Sequence, residues 1–259
     1  MVDGDWVKSN GTTLGADNGI GVASIMTLLA STDIPHPPLE ALFTIDEETG
    51  MTGAKGLVGG LLNGTILLNL DTEDDDELTI GCAGGIDVSA GGKYKVEKAS
   101  SGSCGFRLTV RGLTGGHSGM DIYKGRANAN KLINRVLLSA KEKFDLRISV
   151  IDGGGLRNAI PRESFAEVVI PAADADAFIA LIKEEEKILQ AEYKTTDPKL
   201  NIAAEKINTP DMVMVAAYQY ALLRTIGACP NGIYRMSPEI NGLVQTSNNL
   251  ARVLVKDGG

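Results

Sequence analysis

A mostly apolar segment, residues 39–45, ends in three consecutive acidic residues, Asp46, Glu47 and Glu48. Its length and near-continuous hydrophobicity predict a strand that is buried on both faces, and residues 53–57 predict the start of a helix. In open α/β sheets, ligands bind beyond the carboxyl ends of the strands. This segment therefore predicts part of a parallel sheet that delivers carboxylates to a ligand site.

Two more acidic positions fit the same arrangement. Residues 65–70 form a second apolar strand pattern that ends in Asp71, and Asp17 comes just before a helical pattern at residues 19–31. Carboxylates that are packed together repel one another unless they take up protons or bind a cation, and few basic residues lie nearby. A metal site is the simpler hypothesis. The alternative for residues 46–48 is a solvated helix N-terminus, where the helix dipole stabilises acidic side chains.

The composition is that of a soluble globular protein, with 259 residues of which 43% are hydrophobic and 22% are charged. The formal net charge of −8 argues against nucleic acid as a partner, because a binding face would need clustered Lys and Arg. No membrane partner is expected, because the sequence has neither a signal peptide at its start nor an apolar run of about 18 residues. The three cysteines are widely spaced, which favours a reducing cytoplasm over a disulfide framework.

The periodicity changes near residue 103. Patterns then follow in the order strand, helix, strand, strand, helix, strand, at residues 106–110, 127–140, 146–151, 165–170, 174–193 and 200–207. This order is the ferredoxin-like split pattern, an α+β arrangement in which helices cover one face of a sheet. A helix at 211–226 and strands at 233–236 and 243–255 are expected after it. The predicted fold class is therefore α/β, with a mostly parallel sheet and helices in residues 1–85 and a ferredoxin-like domain in residues 86–259.

Five motifs, taken in order, resemble the aminoacyl-histidine dipeptidases, or cytosolic non-specific dipeptidases, which are related to the carnosinases. The motifs lie at residues 11–21, 44–51, 68–73, 81–85 and 115–122. Each motif alone is a weak signal, but five in the family's order are not expected by chance. The resemblance implies a partial two-zinc metallopeptidase catalytic domain in residues 1–85. It also implies a lid or dimerisation-type domain in residues 86–259, incomplete at its C-terminus, with a homodimer as a further possibility.

The resemblance assigns a role to each acidic position. Asp17 matches the carboxylate that bridges two zinc ions, for which Co or Mn could substitute, and Glu48 and Asp71 each match a ligand of one ion. Glu47 matches the general base, which accepts the proton of the metal-bridged water and passes it to the leaving amine. The family also has a cis peptide bond after the bridging Asp, which predicts a cis bond between Asp17 and Asn18.

On the substrate side, His117 matches a histidine that polarises the scissile carbonyl of a short peptide with an unblocked amino terminus. Asn158 and Arg157 lie on the glycine-rich turn at residues 153–161 and are expected to contact a substrate terminus. Without the resemblance, His117 is typical of a surface or capping residue, and the glycine-rich segment is typical of a plain turn.

The sequence departs from the family pattern in its histidines. Family members have a His-x-Asp zinc ligand before the region that starts here and a second His ligand near the carboxyl end of the catalytic domain. This chain has only His36 and His117, and His36 matches neither ligand. We therefore expect an internal fragment with weak or absent metal binding and no useful turnover. Two alternatives stay open: a non-catalytic module that mediates association, and a sister amidohydrolase that acts on acylated amino acids.

Overall fold

The computed structural model describes residues 1–11, 18–72, 76, 78–79 and 81–258, with the backbone alone at residues 48–49. The chain divides into two compact units, Met1–Gly84 and Gly85–Gly259. All the buried apolar side chains among the described residues lie in the second unit. Burial of apolar surface is the dominant favourable term in folding, so it stabilises chiefly the second unit.

The described residues of the first unit form one hairpin and three helices. Strands β1 (Val2–Asp3) and β2 (Trp6–Val7) pair antiparallel. Helix α1 (Gly19–Ala30) is followed by two single turns, α2 (Glu47–Gly50) and α3 (Thr52–Lys55). The apolar side chains of α1 remain largely exposed, so this unit has no core of its own among the described residues.

The two buried strands predicted at residues 39–45 and 65–70 are not formed. Both segments lack strand structure, and large apolar side chains in them are exposed, such as Ile45 (76%) and Ile66 (82%). A β-strand requires its backbone N–H and C=O groups to pair with a neighbouring strand. Within the described residues these two segments have no partner strand, and the structure therefore corrects the prediction of a parallel sheet here.

A single carboxylate links these segments instead. The two oxygens of Glu40 accept hydrogen bonds from the Asn63 side chain (2.9 Å) and from the backbone N–H groups of Asn63 (2.8 Å) and Gly64 (2.6 Å). These bonds, with that of the Asn63 side chain first, lower the pKa of Glu40 because they favour its charged form. Glu40 thus closes the loop that contains Glu47 and Glu48.

The second unit is built on a five-stranded sheet. Its elements in chain order are β3 (Val96–Lys98), β4 (Ser103–Arg111), α4 (Ala129–Lys143), β5 (Arg147–Gly154), β6 (Ser164–Pro171), α5 (Ala175–Glu192), β7 (Asn201–Ile207), β8 (Met212–Met214), α6 (Ala216–Ala228), β9 (Gly232–Met236), β10 (Val244–Asn248) and β11 (Arg252–Val255). The strand order is β11-β5-β6-β4-β7, and every neighbouring pair is antiparallel. The strands and helices predicted between residues 106 and 207 are confirmed, each within a few residues of its expected bounds.

The C-terminal part differs in detail from the prediction. The helix expected from residue 211 begins only at Ala216, because Met212–Met214 pairs with Val96–Lys98 as a short antiparallel ladder. Val213 and Met214 are fully buried there. The single apolar pattern at 243–255 is split into β10 and β11, which belong to different sheets.

The core lies between the five-stranded sheet and helices α4 and α5. Alternate residues of β4, such as Phe106 and Leu108, are buried, as the period of a strand requires. Phe106 packs against Phe178 of α5 with ring centroids 5.1 Å apart. Asn128 caps α4, because its side-chain oxygen accepts hydrogen bonds from the N–H groups of Asn130 and Lys131. This packing fixes the sheet against the two helices, and the loops at its ends extend from this core.

Candidate functional site

In the first unit, a tight turn presents Glu47 as the first residue of α2, with its side chain exposed. Asp46 and Met51 on either side adopt left-handed backbone angles (φ 61° and 58°), and the Met51 N–H donates to the Asp46 carbonyl at 2.7 Å. Gly53 packs so closely on Ile45 that a Cβ would lie 2.7 Å from both its nitrogen and its oxygen. Only glycine fits there, which gives a physical reason for the glycine at position 53.

Asp71 follows the segment 65–70 and is exposed. Its N–H donates to the Asn69 side chain at 3.1 Å. The residue before it, Leu70, accepts a hydrogen bond through its carbonyl from the side-chain amide of Asn18 at 2.6 Å. The oxygen of the same Asn18 side chain accepts from the Gly21 N–H at 2.9 Å and caps α1. Asn18 therefore joins the start of α1 to the position of Asp71.

The predicted metal ligands are only partly within the described residues. Asp17 lies outside them, and so does the peptide bond between Asp17 and Asn18; the side chain of Glu48 is also outside. Among the side chains that are described, no group of three or more His, Cys, Asp or Glu is arranged to hold a metal ion. The described residues alone thus do not supply the donor set of a two-zinc centre, and no catalytic step through a metal follows from them.

In the second unit, His117 lies at the start of a tight turn and its imidazole is exposed. The N–H groups of Gly119 and Met120 both donate to its Nδ1, each at 3.1 Å. A ring nitrogen that accepts hydrogen bonds carries no hydrogen, so the neutral ring has its hydrogen on Nε2. The turn thus presents His117 as a hydrogen-bond donor through Nε2.

Asp121 closes this turn. Its Oδ2 accepts from the His117 N–H at 2.8 Å, and its own N–H donates to the His117 carbonyl at 3.0 Å. Its carboxylate is paired with Lys124 (2.5 Å) and lies 3.5 Å from a guanidinium nitrogen of Arg126. The hydrogen bond from Lys124 and then that from the His117 N–H hold the pKa of Asp121 below its usual range.

The structure brings the loop of Asn158 and Arg157 next to His117. Ser118 donates its N–H to the Asn158 carbonyl at 2.7 Å, and His117 forms a single antiparallel bridge with Ala159. Arg157 is exposed and pairs with Asp87 at 2.9 Å. The three residues predicted on the substrate side, His117, Asn158 and Arg157, therefore lie on two loops that are hydrogen-bonded to each other.

The sequence did not predict a role for Asn249, which is hydrogen-bonded to the loop that contains Asn158. The side chain of Asn249 donates to the Ala159 carbonyl at 2.8 Å. Its oxygen accepts from the side chain of Asn128, the buried cap of α4, at 3.2 Å. Nothing in the sequence distinguishes Asn249 from an ordinary turn residue between two strands, because its partners are about 90 and 121 residues away.

Part of the second unit matches a known protein family. Residues 99–197 match M20_dimer, the peptidase dimerisation domain. This range includes β4, α4, β5, β6 and α5, and it contains the His117 turn and the Asn158 loop. This part of the chain is therefore similar to the peptidase dimerisation domain.

Particular relatives extend the similarity to the whole chain. The chain is 42% identical over 256 residues to the cytosol non-specific dipeptidase of Escherichia coli (strain K12), covering 99% of this chain and 53% of the relative. It is similar to the crystal structure of aminoacylhistidine dipeptidase from Vibrio alginolyticus, with a TM-score of 0.75 and 43% identity over 100% of this chain and 53% of that one. These comparisons confirm the resemblance that the five motifs predict.

A further relative is more distant. An uncharacterized protein of Bacillus subtilis (strain 168), YqjE, is 29% identical over 168 residues, which are 62% of this chain and 40% of that protein. The chain spans about half the length of the two dipeptidases it matches, 53% in each case.

In the part of the chain that the structure describes, no helix is long and apolar enough to cross a membrane.

Proposed function

We propose that this polypeptide contributes to a zinc-dependent dipeptidase that hydrolyses aminoacyl-histidine or other dipeptides in the cytoplasm. The observation that supports this most strongly is the 42% identity, over 99% of the chain, to an Escherichia coli protein named as a cytosolic dipeptidase. Because that relative is almost twice as long, the activity is proposed for a site to which this chain gives only part of the residues.

The proposed metal site consists of Asp17 as the bridging carboxylate, with Glu48 and Asp71 each on one zinc ion. When bound, two zinc ions would acidify a shared water and polarise the peptide carbonyl; Co or Mn could substitute for them. Glu47, exposed at the start of α2, would accept a proton from the attacking water and deliver it to the leaving amine. The hydrogen bond from Asn18 to Leu70 supports this proposal, because it links the residue after Asp17 to the residue before Asp71.

The proposed substrate side consists of His117, Asn158 and Arg157. His117 would donate from Nε2 to the scissile carbonyl oxygen, where negative charge develops in the transition state. Arg157 would bind a substrate carboxylate in place of its exposed partner Asp87, since exposed ion pairs of this kind contribute only about 0–1 kcal/mol. Asn158 would present its side-chain amide to the same substrate terminus.

We further propose that residues 1–85 are part of the catalytic domain and residues 86–259 are a ferredoxin-like lid and dimerisation domain. The match to the peptidase dimerisation domain supports a homodimer. The strand order β5-β6-β4-β7 with two helices, which follows the order of the predicted split pattern, supports the ferredoxin-like assignment.

A non-catalytic module for association is the second candidate. The observation that favours it is that the buried core lies in the second unit, whereas the described acidic side chains of the first unit form no metal-binding group. A sister amidohydrolase would differ only in its substrate, an acylated amino acid. These possibilities are separated by measuring zinc binding first and substrate choice second.

Zinc titration by calorimetry tests the carboxylate site in this chain. We expect weak binding that Glu48→Ala and Asp71→Ala reduce further, while Asp76→Ala, an exposed acid in the neighbouring acidic run, leaves it unchanged. Equal effects of Asp71→Ala and Asp76→Ala would mean that zinc binds the acidic run without specificity, and the metal roles would then be wrong. If no zinc binds at all, the preformed carboxylate site is excluded for this chain.

A chimera tests the reaction. This chain replaces the matching 256 residues of the Escherichia coli relative, which supplies the remaining half of the polypeptide. We expect hydrolysis of an aminoacyl-histidine dipeptide but not of an N-acylated amino acid, and a loss of about 10²–10⁴-fold in kcat for Glu47→Gln at unchanged zinc content. A folded, zinc-loaded chimera without dipeptidase activity would contradict the proposal and favour the association module, and a preference for the acylated substrate would favour the amidohydrolase.

A further inference from the structure

The hydrogen-bond donors around His117 determine which of its ring nitrogens carries the hydrogen. Two backbone N–H groups, from Gly119 and Met120, converge on Nδ1 at 3.1 Å each, and an N–H group can only donate. A hydrogen on Nδ1 would face both of these donors and break both bonds. The turn therefore selects the Nε2–H tautomer, whereas an unconstrained imidazole in water interconverts between two tautomers.

Asp121 maintains the shape of that turn. It is hydrogen-bonded to both the N–H and the carbonyl of His117, which closes residues 117–121 into a ring and aims the intervening N–H groups at Nδ1. Lys124 and Arg126 hold the carboxylate from the other side, and Arg126 also donates to the Gly115 carbonyl at 2.6 Å. A Cβ at Gly116 would collide with the carboxylate of Asp121 and with the guanidinium of Arg126. The carboxylate is thus held in place by charged partners and by the close approach of the backbone.

We propose that Asp121 is a positioning residue that holds His117 in the Nε2–H tautomer, so that the ring acts as a fixed hydrogen-bond donor to a substrate oxygen. This inference rests on the proposed function, in which His117 faces the scissile carbonyl. It goes beyond that function by assigning a role to Asp121 and to the two backbone amides. Without Asp121, the ring would sample a tautomer that presents a bare acceptor nitrogen to the substrate.

The second histidine of the chain offers an internal reference. His36 is exposed, and its Nδ1 lies 2.8 Å from the Pro37 carbonyl oxygen, which can only accept. That contact requires a hydrogen on Nδ1, the opposite arrangement to His117. Because the chain has only these two histidines, two sets of imidazole resonances are expected, and His36→Gln assigns them.

The test is ¹⁵N–¹H correlation spectroscopy of the imidazole rings in the whole chain, at a pH where the rings are neutral. In the wild type we expect a pyridine-type Nδ1 and a pyrrole-type Nε2 for His117. In Asp121→Ala the ¹⁵N chemical shifts of Nδ1 and Nε2 should move towards a common value, because the ring then averages over both tautomers. Asp121→Asn, which keeps an oxygen that can accept from the His117 N–H, should retain most of the wild-type pattern. Asp176→Ala, which removes an exposed acid from the first turn of α5, is the matched control and should also retain it.

Three results would overturn the proposal: a pyrrole-type Nδ1 for His117 in the wild type, an unchanged pattern in Asp121→Ala, or a pattern in Asp121→Asn as averaged as that of Asp121→Ala. Methyl resonances of the core around Leu108 and Ile133 verify that each variant is folded. If Asp121→Ala fails this check, Asp121→Ser takes its place, because serine is favoured in turns but its side chain is too short for the same reach. The tautomer is read without substrate or zinc, so a failed dipeptidase assay and a failed tautomer assay are separate results.

Discussion

The side-chain amide of Asn18 donates to the main-chain carbonyl of Leu70 at 2.6 Å, across 52 positions of the sequence. Through its oxygen the same side chain caps α1. One residue thus fixes the start of a helix and the approach to Asp71. Its neighbour in sequence is Asp17, so the contact bears directly on the spacing of the proposed carboxylate ligands.

This double role of Asn18 can be separated by substitution. Asn18→Asp keeps an oxygen for the cap but removes the donor to Leu70, and Asn18→Ala removes both, with about 0.5–2 kcal/mol lost from the cap. We expect faster amide hydrogen exchange at residues 70–72 in both variants, and faster exchange at the start of α1 in Asn18→Ala alone. Unchanged exchange at residues 70–72 in Asn18→Asp would show that the bond to Leu70 does not restrain this segment.

Asn249 is predicted to hold the loop that contains Arg157 and Asn158. Asn249→Ala removes the donor to the Ala159 carbonyl and the acceptor for Asn128, which is 3% exposed. Asn128 keeps its hydrogen bonds to the Asn231 side chain (2.8 Å) and to the Leu250 carbonyl (3.2 Å), so we expect only the loss of ordinary hydrogen bonds, about 0.5–1.5 kcal/mol in the free energy of unfolding, measured with urea. Asn241→Ala, at an exposed turn of the same unit, is the control and should change stability by less than about 0.5 kcal/mol.

Lys131 is predicted to stabilise the end of α6. Its ammonium group donates to the carbonyls of Ile226, Gly227 and Cys229 at 2.8–2.9 Å, and desolvation lowers its pKa. Lys131→Met keeps the aliphatic stem but leaves three carbonyls without this donor, which should cost about 1–3 kcal/mol of unfolding free energy. Lys141→Met on the same helix breaks only an exposed pair with Asp145, and a comparable loss there would contradict the capping role of Lys131.

Replacing a phenylalanine by alanine should lower the free energy of unfolding much more in the second unit than in the first, because the buried apolar side chains that the structure describes lie in the second unit. Phe178→Ala, at a fully buried position of α5, should lower the unfolding free energy by about 3–5 kcal/mol. Phe43→Ala, at a side chain that is 51% exposed in the first unit, should cost less than about 1 kcal/mol. Unfolding is best followed by far-ultraviolet circular dichroism, because the single tryptophan, Trp6, lies in the first unit. Equal losses in both variants would mean that residue 43 is buried in solution.

The lowered pKa of Asp121 predicts a dependence of stability on pH. The folded state favours the charged carboxylate, through Lys124 first, so the folded pKa lies below the ordinary value of 3.8. The stabilisation is therefore fully present above about pH 5 and is lost as the pH falls through the folded pKa. We expect the difference in unfolding free energy between the wild type and Asp121→Asn to be constant from about pH 5 to 7 and to shrink below about pH 4. A difference that is independent of pH would show that the carboxylate charge does not stabilise the turn.

The elements of the second unit between residues 103 and 207 follow from local pattern. Alternation along β4 and the apolar stripe of α5 place Phe106 and Phe178 in one core, because strand and helix periods decide which side chains share a face. The order of five short motifs also sufficed to predict the dipeptidase resemblance. Both signals reside in residues close together in the chain, which is why they can be read without a structure.

The lack of strand structure at residues 39–45 and 65–70 could be found only from the tertiary structure. The segment 39–45 has the composition of a buried strand, yet strand structure needs a partner for its backbone hydrogen bonds, and composition does not specify one. The same reason explains why Met212–Met214 is a strand instead of the first turn of a helix: its partner, Val96–Lys98, lies more than 100 residues earlier.

What the sequence by itself determined about this protein is therefore its resemblance to the dipeptidases, the order of elements from β4 to β7, and the residue types available for chemistry. Only the tertiary structure decided which of those residues are hydrogen-bonded to which partners. Asn18 with Leu70, Asn249 with Ala159, and Asp121 with His117 are all polar contacts of specific geometry. Hydrogen bonds depend on distances and angles between individual atoms, and these exist only once distant segments have been packed together.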